Sequence, residues 1–278
     1  MFVDIGIYPP GVEVPQGHLN TWTPFKMETI ELTPNPTDFD PKSDIDVVLK
    51  HILIMADNDR VVARYFTAWI AHCVQRPAEK STMPVLISRQ GAGKGSLVAL
   101  IRAMLGDSKV TESNTPERDV WGSFNSIMAS SFVVNLDEIS KANTAGANGL
   151  LKNLVTSNKM LINCKGKPVY EINSYHRFIL TTNKEAPLSV EQSNRRYFFM
   201  RTSDELIDQK ECGYFDRYYE MLADDRRVKY IFDYFKAADC AGFTRMPLPV
   251  TEHARGLMAA KESVFDFYII EKLGRAAA

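Results

Sequence analysis

Residues 84–101 read PVLISRQGAGKGSLVALI: a short apolar run, a glycine-rich turn with one lysine, and a second apolar run. The first run has the length and composition of a buried strand, and the second has the spacing of a helix. Glycines at such a junction let backbone N–H groups turn toward a phosphate, and the helix N-terminus adds partial positive charge. The pattern predicts a phosphate-binding loop formed by Gly91, Ala92, Gly93, Lys94, Gly95 and Ser96.

This loop departs from the pattern G-x-x-x-x-G-K-[ST] at two positions. Ser88 stands in place of the first glycine, and Gly95 stands in place of the hydroxyl residue that binds Mg²⁺. Ser96, one position later, takes the metal role if the helix begins slightly differently, so we expect it to be a Mg²⁺ ligand. The alternative is a glycine-rich turn without a ligand; the order of strand, glycines, Lys94 and helix favours a nucleotide.

A second apolar strand, Phe132 to Leu136, ends in the two carboxylates Asp137 and Glu138. In phosphate-loop ATPases such a strand lies near the loop strand, where the aspartate holds Mg²⁺ and the glutamate orients and deprotonates the attacking water. By itself, an apolar run followed by Asp-Glu also describes a strand that leads to an exposed turn. Together with the loop, the pair favours nucleotide hydrolysis.

Two further groups of polar residues adjoin strand-like runs. The run 177–182 ends in Asn183, whose amide is suited to bind a γ-phosphate or the attacking water; the alternative is an asparagine that begins a turn. Arg195 and Arg196 precede the apolar run 197–199. A guanidinium supplied to a neighbouring subunit's γ-phosphate accelerates hydrolysis by about 10³–10⁵. The alternative for these arginines is a solvated strand start or a structural ion pair.

The net charge hides a basic segment. The chain has 33 basic and 34 acidic side chains, a formal charge of -1, which by itself argues against a nucleic-acid partner. Residues 139–170 nevertheless contain five lysines and no acid. Two strand-like runs around a glycine predict a β-hairpin over residues 160–172, with Lys165 and Lys167 at its tip. We expect these lysines to contact DNA or RNA phosphates; the alternative is a solvated lysine-rich face.

Composition divides the chain into four parts and excludes several classes of protein. A hydrophobic share of 45% excludes global disorder, and no apolar run reaches the roughly 18 residues of a membrane span. The four cysteines lie far apart in the sequence, so we expect neither disulfide bonds nor a zinc site. We therefore expect a cytoplasmic location. The predicted parts are a proline-rich lead-in (1–42), a helical subdomain (43–80), an α/β core with a parallel sheet flanked by helices (81–203), and a helical C-terminal region (204–278).

The elements from Ser81 to Phe199, in their order, resemble a superfamily 3 helicase domain of the type joined to primases in phages, plasmids and large DNA viruses. The stretches Leu19–Trp22 and Trp69–Pro77 are similar to sequence that precedes the ATPase core in phage primase-helicases. The resemblance implies a Walker A lysine, Walker B acids, a pore hairpin, a sensor residue and a trans-acting arginine finger. By this resemblance, Lys94 is the Walker A lysine, and Asp137 and Glu138 are the Walker B acids. Lys165 and Lys167 lie on the pore hairpin. Asn183 is the sensor residue, and Arg195 or Arg196 is the trans-acting arginine finger.

The same resemblance implies a fold and partners. We expect an AAA+-like P-loop ATPase fold, ATP and Mg²⁺ as cofactors, and single-stranded DNA as the partner of a homo-hexameric ring that translocates 3′ to 5′. A primase or polymerase domain is expected on another part of the full-length chain. The Gly95 departure recurs in the phage-type branch, so it weakens the metal assignment more than the family assignment.

Two other classes of protein remain open. The loop also resembles that of nucleoside monophosphate kinases, but such a phosphotransferase has its loop near the start of the chain and no Asp-Glu pair on a following strand. An AAA+ remodelling or binding module without helicase activity is the other alternative. The lysine hairpin argues against that module, whereas ATP hydrolysis independent of DNA would support it.

Overall fold

The computed structural model of the chain describes residues 4–138, 144–188, 194–208 and 213–259. Nine strands are present in these ranges: β1 (Asp4–Gly6), β2 (His18–Asn20), β3 (Met83–Ile87), β4 (Val110–Ser113), β5 (Val133–Asp137), β6 (Lys159–Ile162), β7 (Tyr170–Asn173), β8 (Arg177–Thr182) and β9 (Tyr197–Arg201). The helices in these ranges are α1 (Pro41–Met55), α2 (Arg60–Gln75), α3 (Lys94–Leu105), α4 (Pro116–Asp119), α5 (Thr144–Thr156), α6 (Glu205–Asp208), α7 (Tyr214–Ala223), α8 (Asp225–Ala237) and α9 (252–259).

Five strands form a central parallel sheet in the order β4-β5-β8-β3-β9. Every residue of β3 and of β8 is buried, as expected for parallel strands covered on both faces. The predicted α/β fold, a parallel sheet flanked by helices, is therefore confirmed. Because all five strands run in one direction, their carboxyl ends share one edge of the sheet and their amino ends share the other.

Alternate residues of strands β3, β5, β8 and β9 enter two different cores, as the two-residue period of a strand requires. In β9, Phe198 and Met200 belong to a core built with helices α1, α2, α3, α7 and α8. Tyr197 and Phe199 belong to a second core, on the other face, built with α5, the hairpin strands β6 and β7, and α9. The sheet thus separates a helical layer from the layer that carries the hairpin.

Helices α1, α2, α7 and α8 belong to one layer. Asp40 caps the N-terminus of α1, followed by Pro41, and Asp59 caps α2 by accepting from two backbone N–H groups. The buried carboxylate of Asp44 in α1 accepts two hydrogen bonds from the Arg227 guanidinium in α8, one of them at 2.8 Å. Residues 43–80 therefore share a core with α8, although the four-part division of the chain remains a prediction.

The proline-rich lead-in is packed against the sheet layer. Phe25 and Met27 are fully buried, and the Trp22 ring lies edge-on to Phe132, with 5.4 Å between ring centroids. The Lys109 ammonium lies 3.7 Å from the Trp22 ring centroid, within cation–π range. In the described residues, no helix is long and apolar enough to cross a membrane.

Candidate nucleotide-binding site

The glycine-rich loop, residues 88–96, connects the carboxyl end of β3 to the first turn of α3. Gly91 and Gly93 have φ values of 86° and 102°, a left-handed backbone that glycine adopts without a Cβ penalty. Gly93 directly precedes α3, whose first residue is Lys94. The first N–H groups of α3 consequently adjoin the predicted phosphate site, where a helix N-terminus favours an anion.

Lys94 joins the ends of two neighbouring strands. Its Nζ donates to the Ser88 hydroxyl at 2.8 Å and the Ser88 carbonyl at 3.1 Å. It also donates to Oδ1 of Asn183 at 2.6 Å, and it lies 3.4 Å from the Arg89 carbonyl oxygen. Asn183 directly follows β8, so the structure brings the predicted lysine and the predicted sensor into direct contact.

The two carboxylates lie at the same edge of the sheet. Oδ1 of Asp137 accepts a hydrogen bond from the Thr181 hydroxyl at 2.8 Å, and the Glu138 N–H donates to the Thr181 carbonyl at 3.0 Å. Both acidic side chains are exposed. Glu138 has a φ of 56°, which is uncommon for a residue other than glycine and occurs often at functional sites.

The charges of this site are arranged around Lys94. Partial burial lowers the pKa of Lys94, and the nearby Asp137 and Glu138 carboxylates act in the opposite direction. The four oxygen atoms around its Nζ belong to two backbone carbonyls, one hydroxyl and one amide. Its direct hydrogen-bond partners are thus uncharged groups, so no carboxylate in direct contact competes with a phosphate for Lys94.

The predicted metal role of Ser96 is not supported by its position. Ser96 is fully buried, and its hydroxyl donates to the Gly93 carbonyl at 2.5 Å and contacts Nε2 of His51 at 2.5 Å. Adjacent residues of a helix point about 100° apart, so a hydroxyl one position after Gly95 does not take the place of one at Gly95. The hydroxyl of Ser96 therefore faces the protein interior.

The remaining oxygen ligands fit a magnesium nucleotide. In the described residues, no group of three or more His, Cys, Asp or Glu side chains could hold a metal ion by itself. Mg²⁺ is commonly held by one or two carboxylates together with substrate phosphates and water. The exposed Asp137 carboxylate, Lys94 and the glycine-rich backbone offer these partners, so the site fits ATP with Mg²⁺ bound jointly by protein and phosphates.

Arg195 and Arg196 lie at the opposite edge of the sheet, before the amino end of β9. The Arg196 carbonyl accepts from the Met83 N–H at 2.8 Å, where β3 begins. Arg195 is exposed, and both arginines line a cavity of about 560 Å³ with Lys80. A five-residue strand is about 16 Å long, so neither arginine reaches the loop of its own chain.

The predicted hairpin is formed by β6 and β7, which pair antiparallel with Ile162 opposite Tyr170. Asn125 anchors it, because its side chain accepts from the Asn163 N–H at 2.8 Å and donates to the Leu161 carbonyl at 3.0 Å. The strand β7 leads into the amino end of β8. Lys165 and Lys167 are exposed at the tip and form no ion pair with any described residue.

Three residues that contact the site were not predicted from the sequence. Ser88 holds Lys94, and Thr181 holds Asp137 and the Glu138 backbone. Thr181 had a signal, since it is the penultimate residue of the strand that precedes Asn183, but a threonine in a β-rich run also suits packing. His51 had none, because its contact with Ser96 joins positions 45 residues apart.

With this fold and site described, the chain can be compared with known proteins. Residues 86–196 match the family described as "Family of unknown function (DUF5906)". The "DNA Primase-polymerase" of Nitratiruptor phage NrS-1 is 25% identical over 224 residues, 76% of this chain and 31% of that protein. The resemblance to a phage replication protein is therefore confirmed.

Solved structures of the NrS-1 C-terminal region have the same fold. The A-form apo structure aligns with a TM-score of 0.73 and 22% identity, over 93% of this chain and 61% of that chain. Another apo structure of this region aligns with a TM-score of 0.72 and 19% identity, over 92% of this chain and 60% of that chain. The JCV helicase aligns at a TM-score of only 0.47 with 14% identity, over 78% of this chain and 61% of that chain. The chain spans about a third of the length of the NrS-1 protein.

Two glycines of the loop should respond differently to alanine. A Cβ added to Gly93 lies 2.9 Å from the Phe215 ring on a left-handed backbone, whereas one added to Gly95 has nothing within 4 Å. Gly93→Ala should lower the free energy of unfolding by about 1–3 kcal/mol. Gly95→Ala should leave it unchanged or raise it by up to about 1 kcal/mol. Urea denaturation measures both, and equal effects would contradict the assigned loop geometry.

Proposed function

We propose that this chain is an ATP-hydrolysing DNA helicase of the superfamily 3 type, acting within a phage-type replication protein. The observation that carries the proposal is the contact between Lys94 and Asn183, made at the sheet edge where Thr181 also holds Asp137. A lysine, an amide and two carboxylates from three strand ends are the groups that a nucleotide-hydrolysing site requires.

Each residue has a distinct task in the proposed hydrolysis. Lys94 and the backbone of the glycine-rich loop bind the β- and γ-phosphates of ATP. Asp137 holds Mg²⁺, which neutralises phosphate charge when it is bound. Glu138 orients the attacking water and accepts its proton, and Asn183, released from Lys94, hydrogen-bonds the γ-phosphate or that water. Gly95 has no side-chain hydroxyl, so at this position the loop would offer Mg²⁺ no side-chain oxygen ligand.

The hairpin supports single-stranded DNA as the partner. Lys165 and Lys167 are exposed at a tip that the Asn125 side chain anchors to the body of the protein. Lys159, in contrast, is paired with Glu171 at 2.9 Å. Unpaired tip lysines on a fixed hairpin attract a phosphate backbone without reading its sequence, which suits an enzyme that moves along DNA.

The position of Arg195 supports a ring. The nucleotide site uses the carboxyl edge of the sheet, and Arg195 is exposed near the amino edge. A head-to-tail assembly presents one edge of each subunit to the other edge of its neighbour, and a closed assembly of this kind is a ring. In the proposed homo-hexamer, Arg195 or Arg196 completes the site of the adjacent subunit.

The similarity to the NrS-1 protein supports a place in phage DNA replication. Because that relative is called a primase-polymerase and this chain spans about a third of it, primer synthesis or polymerisation would belong to another part of a full-length protein. The proposed task of this region is to supply single-stranded template.

ATP hydrolysis should depend on both Lys94 and Glu138 and should increase with single-stranded DNA. Lys94→Ala removes the phosphate-binding charge, and Glu138→Gln removes the base while keeping the shape of the side chain. Each should lower kcat by at least about 100-fold, measured as phosphate release with and without oligonucleotide. Hydrolysis that ignores DNA would instead support a remodelling module, and activity that survives both substitutions would contradict the proposal.

The hairpin lysines should determine DNA affinity. Replacing Lys165 and Lys167 with alanine should weaken binding of a single-stranded oligonucleotide and lower the salt dependence of the binding constant, log Kobs against log salt, by about 0.7 per lysine. Fluorescence anisotropy at several salt concentrations measures both. A matched control replaces Lys42 and Lys50, which are exposed on α1. Equal losses in the two double variants would show a general charge effect and overturn the hairpin assignment.

The arginines should act on a neighbouring subunit. Arg195→Ala or Arg196→Ala should be inactive alone, as should Lys94→Ala. A mixture of an arginine variant with Lys94→Ala should regain DNA-stimulated hydrolysis, because some interfaces combine an intact loop with an intact arginine. Activity is measured across mixing ratios. A mixture that stays inactive for both arginines would assign them a structural role within their own chain.

A further inference from the structure

A hydrogen-bonded chain of side chains from three helices ends on the glycine-rich loop. Nε2 of His51, in α1, lies 2.5 Å from the Ser96 hydroxyl, in α3, and Nδ1 lies 3.0 Å from the Tyr214 hydroxyl, in α7. The Ser96 hydroxyl reaches the Gly93 carbonyl at 2.5 Å. His51 and Ser96 are fully buried, and the roles proposed for hydrolysis use neither.

The direction of each hydrogen bond follows from the last acceptor. The Gly93 carbonyl can only accept a hydrogen bond, so the Ser96 hydroxyl is the donor in that contact. The Ser96 oxygen in turn accepts a hydrogen bond from an N–H at Nε2 of His51. Nδ1 is then free to accept from the Tyr214 hydroxyl. Burial lowers the pKa of His51 to about 3, so the ring is neutral at physiological pH and carries the single N–H that this order needs.

The hydrogen-bonded side chains constrain a loop carbonyl, that of Gly93, which directly precedes α3. A carbonyl oxygen is the negative end of a dipole, and it repels an anion if it turns into the mouth of the loop. The Gly93 carbonyl accepts from both the backbone N–H and the hydroxyl of Ser96, at 2.9 and 2.5 Å, and therefore points toward a buried side chain.

The same loop position is enclosed by neighbouring side chains. A Cβ built on Gly93 would lie 2.9 Å from the Phe215 ring and 3.4 Å from Sδ of Met55. Phe215 follows Tyr214 in α7, and Met55 is the last residue of α1. Helices α7 and α1, which supply Tyr214 and His51, thus also pack against the loop.

We propose that His51 is a positioning residue for nucleotide binding: acting through Ser96, its Nε2–H holds the Gly93 carbonyl away from the phosphates. His51 does not touch the nucleotide. The inference rests on the proposed nucleotide site and deepens it, because it explains why the loop hydroxyl of this chain is at Ser96 and not at Gly95. It also makes α7 a structural support of the loop, through Tyr214.

Binding of a fluorescent ATP analogue with Mg²⁺ to the full chain tests this role. His51→Leu removes the donor at similar size and should raise Kd about 10-fold, the equivalent of one net hydrogen bond. His51→Gln, whose amide can place an N–H near Nε2, should recover most of the affinity. Ser96→Ala should match His51→Leu, and the double variant should add little, since both break one chain.

A control variant separates positioning from general stability. His176 is also a buried histidine with two hydrogen bonds, to Ser174 at 2.9 Å and to the Met128 carbonyl at 2.8 Å, beside the amino end of β8. His176→Leu should lower the melting temperature while leaving Kd within about twofold. If His51→Leu does not fold, Ser96→Ala, a smaller change, provides the measurement.

The outcomes distinguish this inference from the proposed function. Wild-type protein that binds the analogue, together with His51→Leu and Ser96→Ala variants that bind it equally well, would overturn the positioning role alone. An equal loss in His176→Leu would also overturn it, because the effect would then be one of stability. Wild-type protein that binds no better than Lys94→Ala would overturn the nucleotide site, and the positioning role with it.

Discussion

The common direction of strands β3, β5 and β8 is the constraint on which the remaining structure depends. Each is paired in parallel with its neighbour, so residues that are far apart in the chain leave the sheet at one edge. Lys94, Asp137 and Asn183 meet there without any long-range signal in the sequence. Burial on both faces keeps the strands in register, since a shift by one residue would move every side chain into the wrong core.

A second theme is the handling of buried polar groups. Arg177, the first residue of β8, is fully buried and donates a hydrogen bond to the Arg76 carbonyl at 2.8 Å. The pKa of Lys80 is lowered to about 7, mainly by burial and to a smaller extent by the charge of Arg177. Both basic side chains lie beside the amino edge, whereas Asp137 and Glu138 lie at the carboxyl edge. Buried basic groups therefore support the amino edge, opposite the edge that carries the candidate nucleotide site.

Most strands of the sheet could be predicted from the sequence, because buried parallel strands are short apolar runs that end at glycine or at polar residues. Strand β4 was missed, since only Val110 and Ser113 of its four residues are buried and it lies at the sheet edge. Local pattern and general topology were enough to predict that the loop, Asp137 and Asn183 lie at one edge of the sheet, whereas their roles remain predictions. Ser96 was misassigned because its orientation depends on where α3 begins, and His51 could not be found because its partners are contacts of the folded chain.

The alternating packing of strand β9 limits where insertions and deletions can be tolerated. Its residues alternate between the two cores from Tyr197 onward, and Arg196 immediately precedes it. Loss of one residue inside the strand would exchange aromatic side chains between cores, so selection for folding alone maintains the spacing from Arg196 to the sheet. Length changes before Asn194 leave that spacing intact. In the proposed ring, the packing of β9 would therefore set how far the arginines extend toward a neighbour, and a change in the length of the preceding segment would leave that distance unchanged.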